Sequence, residues 1–188
     1  MKVEYAQIFD LLYKQLSLVA TSTLNDIQKE ILDVRSNSDK VLIGGNGGSH
    51  SIASHLSVDM TKACGVSSIA FSDPSLITCL ANDYGYEYAL QKFIEFYHKS
   101  GDLVILISSS GESRNIINAA EAAKEIGLKL ITLSGFSQQN ALMKLGDINV
   151  HIPCNHYNIV ENCHQIILTT VMDMIAGNLV NNEVTSNV

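Results

Sequence analysis

Lys40 to Lys62 reads KVLIGGNGGSHSIASHLSVDMTK, and its layout decides the fold. Val41 to Ile43 is a short apolar run of the kind expected in a buried strand. The chain then breaks into Gly44, Gly45, Asn46, Gly47, Gly48 and Ser49, and resumes with Ile52, Ala53, Leu56 and Met60 at helical spacing. Strand, glycine loop and helix start together form the layout of a backbone anion site. Glycines let the chain turn tightly and bring bare N–H groups to a ligand, and the helix N-terminus adds its positive end. Ser49 adds a hydroxyl. An ordinary Gly-rich βα connection has the same outline, but four glycines in five positions followed by Ser favour phosphate or carboxylate. The loop is neither G-x-x-x-x-G-K-[ST] nor G-x-G-x-x-G, so no nucleoside triphosphate or dinucleotide is implied.

Bulk properties narrow the classes around that loop. The 188 residues suit one domain with a real core, and 46% of them are hydrophobic. No apolar run reaches membrane-spanning length, and the start, MKVEYAQIFD, lacks a signal-peptide core, so a soluble cytoplasmic protein is expected. The net charge of −7, with no Lys/Arg cluster, argues against nucleic acid as a direct partner. It leaves a small anionic ligand open, because backbone N–H donors need no net positive charge. Cys64, Cys79, Cys154 and Cys163 form no C-x-x-C pair and are expected as small buried hydrophobes.

Outward from the loop, strand and helix alternate. Residues 4 to 34 carry Ile8, Leu11, Leu12, Leu16, Val19, Leu24, Ile27, Ile31 and Leu32 at helical spacing, with room for a break near Ala20 to Thr23. Ser67 to Ser72 reads as a strand ending at Asp73-Pro74, and Asn82 to Tyr86 as a polar, aromatic turn before a helix over Tyr88 to His98. Leu103 to Ile107, LVILI, is a central parallel strand by its unbroken apolar run. It opens into Ser108, Ser109, Ser110, Gly111, Glu112 and Ser113, then a helix over Arg114 to Ile126 closed by Gly127. Strands over Leu128 to Leu133 and Asn149 to Ile152 flank a short helix over Ala141 to Leu145. A last helix runs from Ile159 to Val180, with a frayed tail over 181–188.

The alternation predicts an α/β three-layer sandwich with a mostly parallel sheet and helices on both faces. Residues 1–36 form an N-terminal helical segment, 37–180 the core and 181–188 the tail of one domain. Ligands of such sheets bind at the carboxyl ends of strands, where both polar loops lie. Two such loops point to a phosphorylated small molecule. His55 and Asp59, at i and i+4 on the helix after the glycine loop, suit a metal or a general base held against a sugar, or a plain solvent-facing pair. Glu161 and His164 are a second acid–histidine pair, at i and i+3.

GGNGGSHSIASH, the NDYGYE turn, the ISSSGESRNIINAA loop and helix, and the terminal VENCHQ helix resemble, in that order, the sugar isomerase (SIS) domain family, and within it the phosphoheptose isomerase branch. The resemblance covers almost the whole chain. It implies a five-stranded parallel sheet of flavodoxin-like or Rossmann-like type and a homotetramer with sites at subunit interfaces. It implies phosphate capture by Ser108, Ser109, Ser110 and Ser113 with Ser49, and a substrate site shared with Asn46, Gly47, Gly48, Asn82 and Asp83. The activity implied is aldose–ketose isomerisation of sedoheptulose 7-phosphate through an enediol, within heptose biosynthesis, with zinc near the sugar in some members and no nucleotide cofactor. His55, Asp59 and Glu161 would be the metal set, and Asp59, Glu161 and His164 the catalytic one. Three positions depart from the family pattern: Asp59 stands for a Glu, Glu161 for a Gln, and Thr169 for the catalytic His. Threonine is no general acid near neutral pH. Either Glu161 or His164 takes that role, or the chemistry differs, or the chain is non-catalytic, as in the branch that partners the bacterial replication initiator.

Overall fold

The computed structural model describes residues 4–177. Within them, five parallel strands form one sheet in the order β2-β1-β3-β4-β5. The strands are β1 (Lys40–Gly45), β2 (Ser67–Ala70), β3 (Leu103–Ser108), β4 (Lys129–Gly135) and β5 (Ile148–Ile152). The helices are α1 (Tyr5–Leu16), α2 (Thr21–Asn37), α3 (Gly48–Lys62), α4 (Pro74–Tyr84), α5 (Tyr86–Tyr97), α6 (Arg114–Ile126) and α7 (Tyr157–Ala176), with a short 3-10 turn at Leu142–Lys144.

Period-2 alternation sorts the strand side chains between two cores. Val41, Ile43, Leu103, Ile105, Ile107, Ile131 and Leu133 join Ile52, Leu56 and Met60 of α3, Ile27 and Ile31 of α2, and Val160 and Leu168 of α7. Leu42, Val104, Leu106 and Leu130 join Leu90, Phe93 and Ile94 of α5, and Ile116, Ala120 and Ala123 of α6. Every residue of β3 is buried, which is why that strand reads as one apolar run. Cutting Ile105 to Ala would cost about 2–5 kcal/mol through the cavity left behind.

Order 2-1-3-4-5 places the reversal of winding between β1 and β3. These two strands are neighbours in register, Gly45 opposite Ile107. Their continuations diverge, α3 to one face and α6 to the other. The glycine and serine loops therefore open side by side at the carboxyl edge. At the opposite edge an ion pair joins Lys40 to the buried Asp102, whose carboxylate also accepts the N–H groups of Lys40 at 3.0 Å and Lys99 at 2.7 Å.

The structure corrects four expectations. The N-terminal segment is two helices, parted at Ser17–Ala20, just before the expected break. α4 runs on through Tyr84, so Asn82 and Asp83 are its last turn and only Gly85 separates it from α5. Asp73 caps that helix, accepting the Leu76 N–H at 2.8 Å, and Pro74 takes its first position. Cys79 is exposed, while the other three cysteines are buried free thiols. The expected end of the last helix at 178–180 and the tail 181–188 lie outside the described residues. Among the described residues no helix is long and apolar enough to cross a membrane.

Candidate functional site

A cavity of about 80 Å³ opens where the two loops meet, lined by Asn46, Ser49, Ser108, Ser109, Ser110, Ser113, Tyr157 and Glu161. Local backbone chemistry explains its shape. Gly47 has φ 54° and ψ −122°, a conformation that an L side chain rarely adopts, and it turns the chain into α3. No side chain caps α3, nor does one cap α6, whose N-cap is Ser113. Two helix N-termini thus keep free N–H donors beside the cavity. The serine loop is folded on its own hydroxyls. Ser108 Oγ accepts the Gly111 N–H at 3.2 Å and lies 3.4 Å from Ser113 Oγ, and Ser110 Oγ accepts the Glu112 N–H at 3.2 Å. No lining residue is a Lys or Arg. The donors are hydroxyls and helix dipoles, suited to a tetrahedral oxyanion.

Glu161 is the one ionisable carboxylate in the lining. It arrives from α7, which packs on α3. A Cβ on Gly48 would collide with the Glu161 carboxylate, so glycine there lets the acid come up against the start of α3. Ser109 Oγ reaches Glu161 Oε1 at 3.5 Å, the limit of a hydrogen bond.

The same groove between α3 and α7 carries His55 and Asp59 farther on. His55 lies seven residues beyond Gly48, about 10 Å along the helix. Its Nε2 is 3.4 Å from Asp59 Oδ2, and its Nδ1 is 3.2 Å from Nε2 of Gln165. The two side chains are 57% and 33% exposed, so this end of the groove is open in the single chain.

Several expected residues are not brought together. His55, Asp59 and Glu161 do not form one metal set: among the described residues no group of three His, Cys, Asp or Glu side chains could hold an ion. The cause is spacing along the groove, since Glu161 meets α3 at Gly48 while His55 meets α7 at Gln165. Among the described residues of a single chain these three side chains therefore make no metal site. His164 is wholly buried, its Nε2 3.0 Å from the Ser134 carbonyl on β4. Burial holds its pKa down at about 4, so it stays neutral and away from the cavity, and it is no substitute acid. Thr169 Oγ1 donates to the Gln165 carbonyl of its own helix at 2.8 Å. Asn82 and Asp83 are exposed on α4 outside the cavity lining, bonded to each other at 2.9 Å.

Tyr157 and Gln165 were missed from the sequence. Both stand four residues from Glu161, and that spacing marks the α7 face turned to the groove. Tyr157 packs its ring edge on Phe136, 4.8 Å between centroids.

Known proteins resemble this chain in sequence and fold. A family profile described as SIS domain matches residues 4–135. The phosphoheptose isomerase of Glaesserella parasuis serovar 5 (strain SH0165) is 36% identical over 146 residues, 75% of this chain and 74% of that protein. The phosphoheptose isomerase of Tolumonas auensis (strain DSM 9187 / NBRC 110442 / TA 4) is 40% identical over 141 residues, 72% of each. A solved phosphoheptose isomerase from Francisella tularensis superposes with a TM-score of 0.84 at 25% identity, covering 92% of this chain and 94% of that one. The one from Neisseria gonorrhoeae gives 0.83 at 26%, covering 91% and 94%.

Proposed function

The chain belongs to the SIS domain family, and on that premise we propose that it is a cytoplasmic phosphosugar isomerase interconverting sedoheptulose 7-phosphate and an aldoheptose 7-phosphate. The observation that carries the reading is the single cavity where five serines, two uncapped helix starts and one carboxylate converge. The reading takes 1–188 as one SIS domain, because α7, beyond the matched residues, supplies the cavity's carboxylate.

The phosphate sits among Ser49, Ser108, Ser109, Ser110 and Ser113, held by hydroxyls and the N–H groups of α3 and α6. The sugar chain then runs along the α3–α7 groove, past Glu161 toward His55 and Asp59. One carboxylate, Asp59, removes the proton from C1 of the ketose and returns it to C2 of the enediol. The proton that leaves O1 and arrives at O2 is carried at the same end by His55, whose Nε2 is 3.4 Å from Asp59 Oδ2. The sugar is isomerised without net oxidation, so no nucleotide cofactor is needed. Each positioned proton-transfer group is worth about 10²–10⁴ in rate.

A homotetramer with sites at subunit interfaces belongs to the same reading. It would cover the open His55–Asp59 end and the aromatic stripe of Tyr5, Phe9 and Tyr13 that α1 exposes. The test is NMR-monitored turnover over a panel of ketose phosphates, with and without added zinc. Accumulation of the aldoheptose phosphate from sedoheptulose 7-phosphate is the expected result. No turnover of that sugar in either condition sinks the proposal.

A further inference from the structure

Asn46 is the only amide in the cavity lining, and its own surroundings are unusually complete. Its Nδ2 donates to Asn115 Oδ1 at 2.9 Å, and Asn115 Nδ2 donates back to Asn46 Oδ1 at 2.9 Å. The two carboxamides form a closed reciprocal pair. The Tyr86 hydroxyl donates to the same Asn46 Oδ1 at 2.8 Å. An amide oxygen has two lone pairs and its nitrogen two hydrogens. Both lone pairs of Asn46 are therefore taken, together with one of its hydrogens, and a single N–H is left over at the cavity. Asn115 is buried at the start of α6, and Tyr86 opens α5. Asn118 Nδ2 ties α6 to α5 through the Glu87 carbonyl at 2.9 Å, so the two supports are fixed to each other.

We propose that Asn115 and Tyr86 are positioning residues that lock the Asn46 carboxamide with its free N–H turned to a ligand oxyanion. Turning both carboxamides together would keep the reciprocal pair but present an acceptor oxygen to an anion; the Tyr86 hydroxyl, a better donor than acceptor, favours the orientation with Oδ1 toward it. The inference rests on the anion-binding reading of the cavity but not on turnover. It also gives the NDYGYE segment a task other than direct contact through Asn82 and Asp83.

Calorimetric titration with inorganic phosphate, and with sedoheptulose 7-phosphate, tests it without requiring catalysis. Tyr86→Phe removes one exposed hydroxyl and should weaken phosphate about five-fold, the worth of one ordinary hydrogen bond. Asn115→Leu should weaken it about ten-fold or more. In turnover both changes should appear in KM with kcat held, as for binding lost equally from ground and transition states. The decisive readout is the double change: with Asn46→Ala present, neither Tyr86→Phe nor Asn115→Leu should cost further affinity. Unchanged phosphate affinity in Tyr86→Phe overturns the proposal, and so does a loss that persists in full beside Asn46→Ala. A protein that shows the coupling yet isomerises no ketose phosphate supports the lock and removes only the isomerase reading.

Discussion

The two ends of the α3–α7 groove differ in kind. At the end proposed for phosphate, Ser49, Ser108 and Ser109 are buried, the Ser108 hydroxyl meets Ser113 and the Gly111 N–H, and the loops sit at the switch point of the sheet. At the other end, His55 is exposed and Asp59 half-buried on a helix surface, the two beside each other and His55 also beside Gln165. The first end gathers serine hydroxyls and two helix starts within one chain. The second depends on side chains and stays open to solvent. On the proposed reading, binding is written into the fold, while chemistry is written into a few positions that can change without disturbing it.

The largest effect expected to sharpen this contrast comes from His55→Leu, which should lower kcat by about 10³ while leaving inorganic phosphate affinity unchanged. Glu161→Gln, which removes the only carboxylate in the cavity lining, should do the reverse and tighten inorganic phosphate with kcat nearly held. Weaker phosphate binding in Glu161→Gln would break the division of labour.

Acid tests the buried side of α7. His164 has its folded pKa lowered to about 4 by burial, against an ordinary value of 6.5. Between those values the unfolded chain binds a proton that the native chain refuses, so stability falls as pH drops from about 6.5 to about 4. The loss reaches up to about 3 kcal/mol at and below the lower value. Urea unfolding over that range should show it, and His164→Leu should flatten the slope.

A smaller effect belongs to the serine loop. Ser109→Ala should raise KM about ten-fold with kcat nearly unchanged, because a hydroxyl on phosphate holds ground and transition states alike. The smallest is Gln165→Leu. It frees the His55 ring and should lower kcat about five-fold while leaving phosphate affinity alone. A Gln165 effect confined to KM would mean the open end serves binding after all.

Much of this was legible in the sequence, and the misses have physical causes. The apolar run of β3, the glycine loop and the serine loop have short-range signatures, so the sheet and the two loops that line the cavity could be read directly. Asn82 and Asp83 were misplaced because a polar, aromatic turn and a helix's last turn share a composition, and only Gly85 separates α4 from α5. His164 was misjudged because positions three and four beyond Glu161 both lie near its face. Packing put His164 under β4 and gave the groove to Gln165. The Asn46–Asn115–Tyr86 lock joins positions 40 and 69 residues apart from Asn46, and no local pattern carries it.

The most direct test is one NMR experiment on Asp59→Asn mixed with sedoheptulose 7-phosphate, which reports binding by broadening of the ³¹P line and turnover by new aldose signals. Binding with no aldose is the predicted result. Aldose accumulating at the unmodified protein's rate, or a ³¹P line that never broadens, would contradict the separation of the phosphate end from the chemical end.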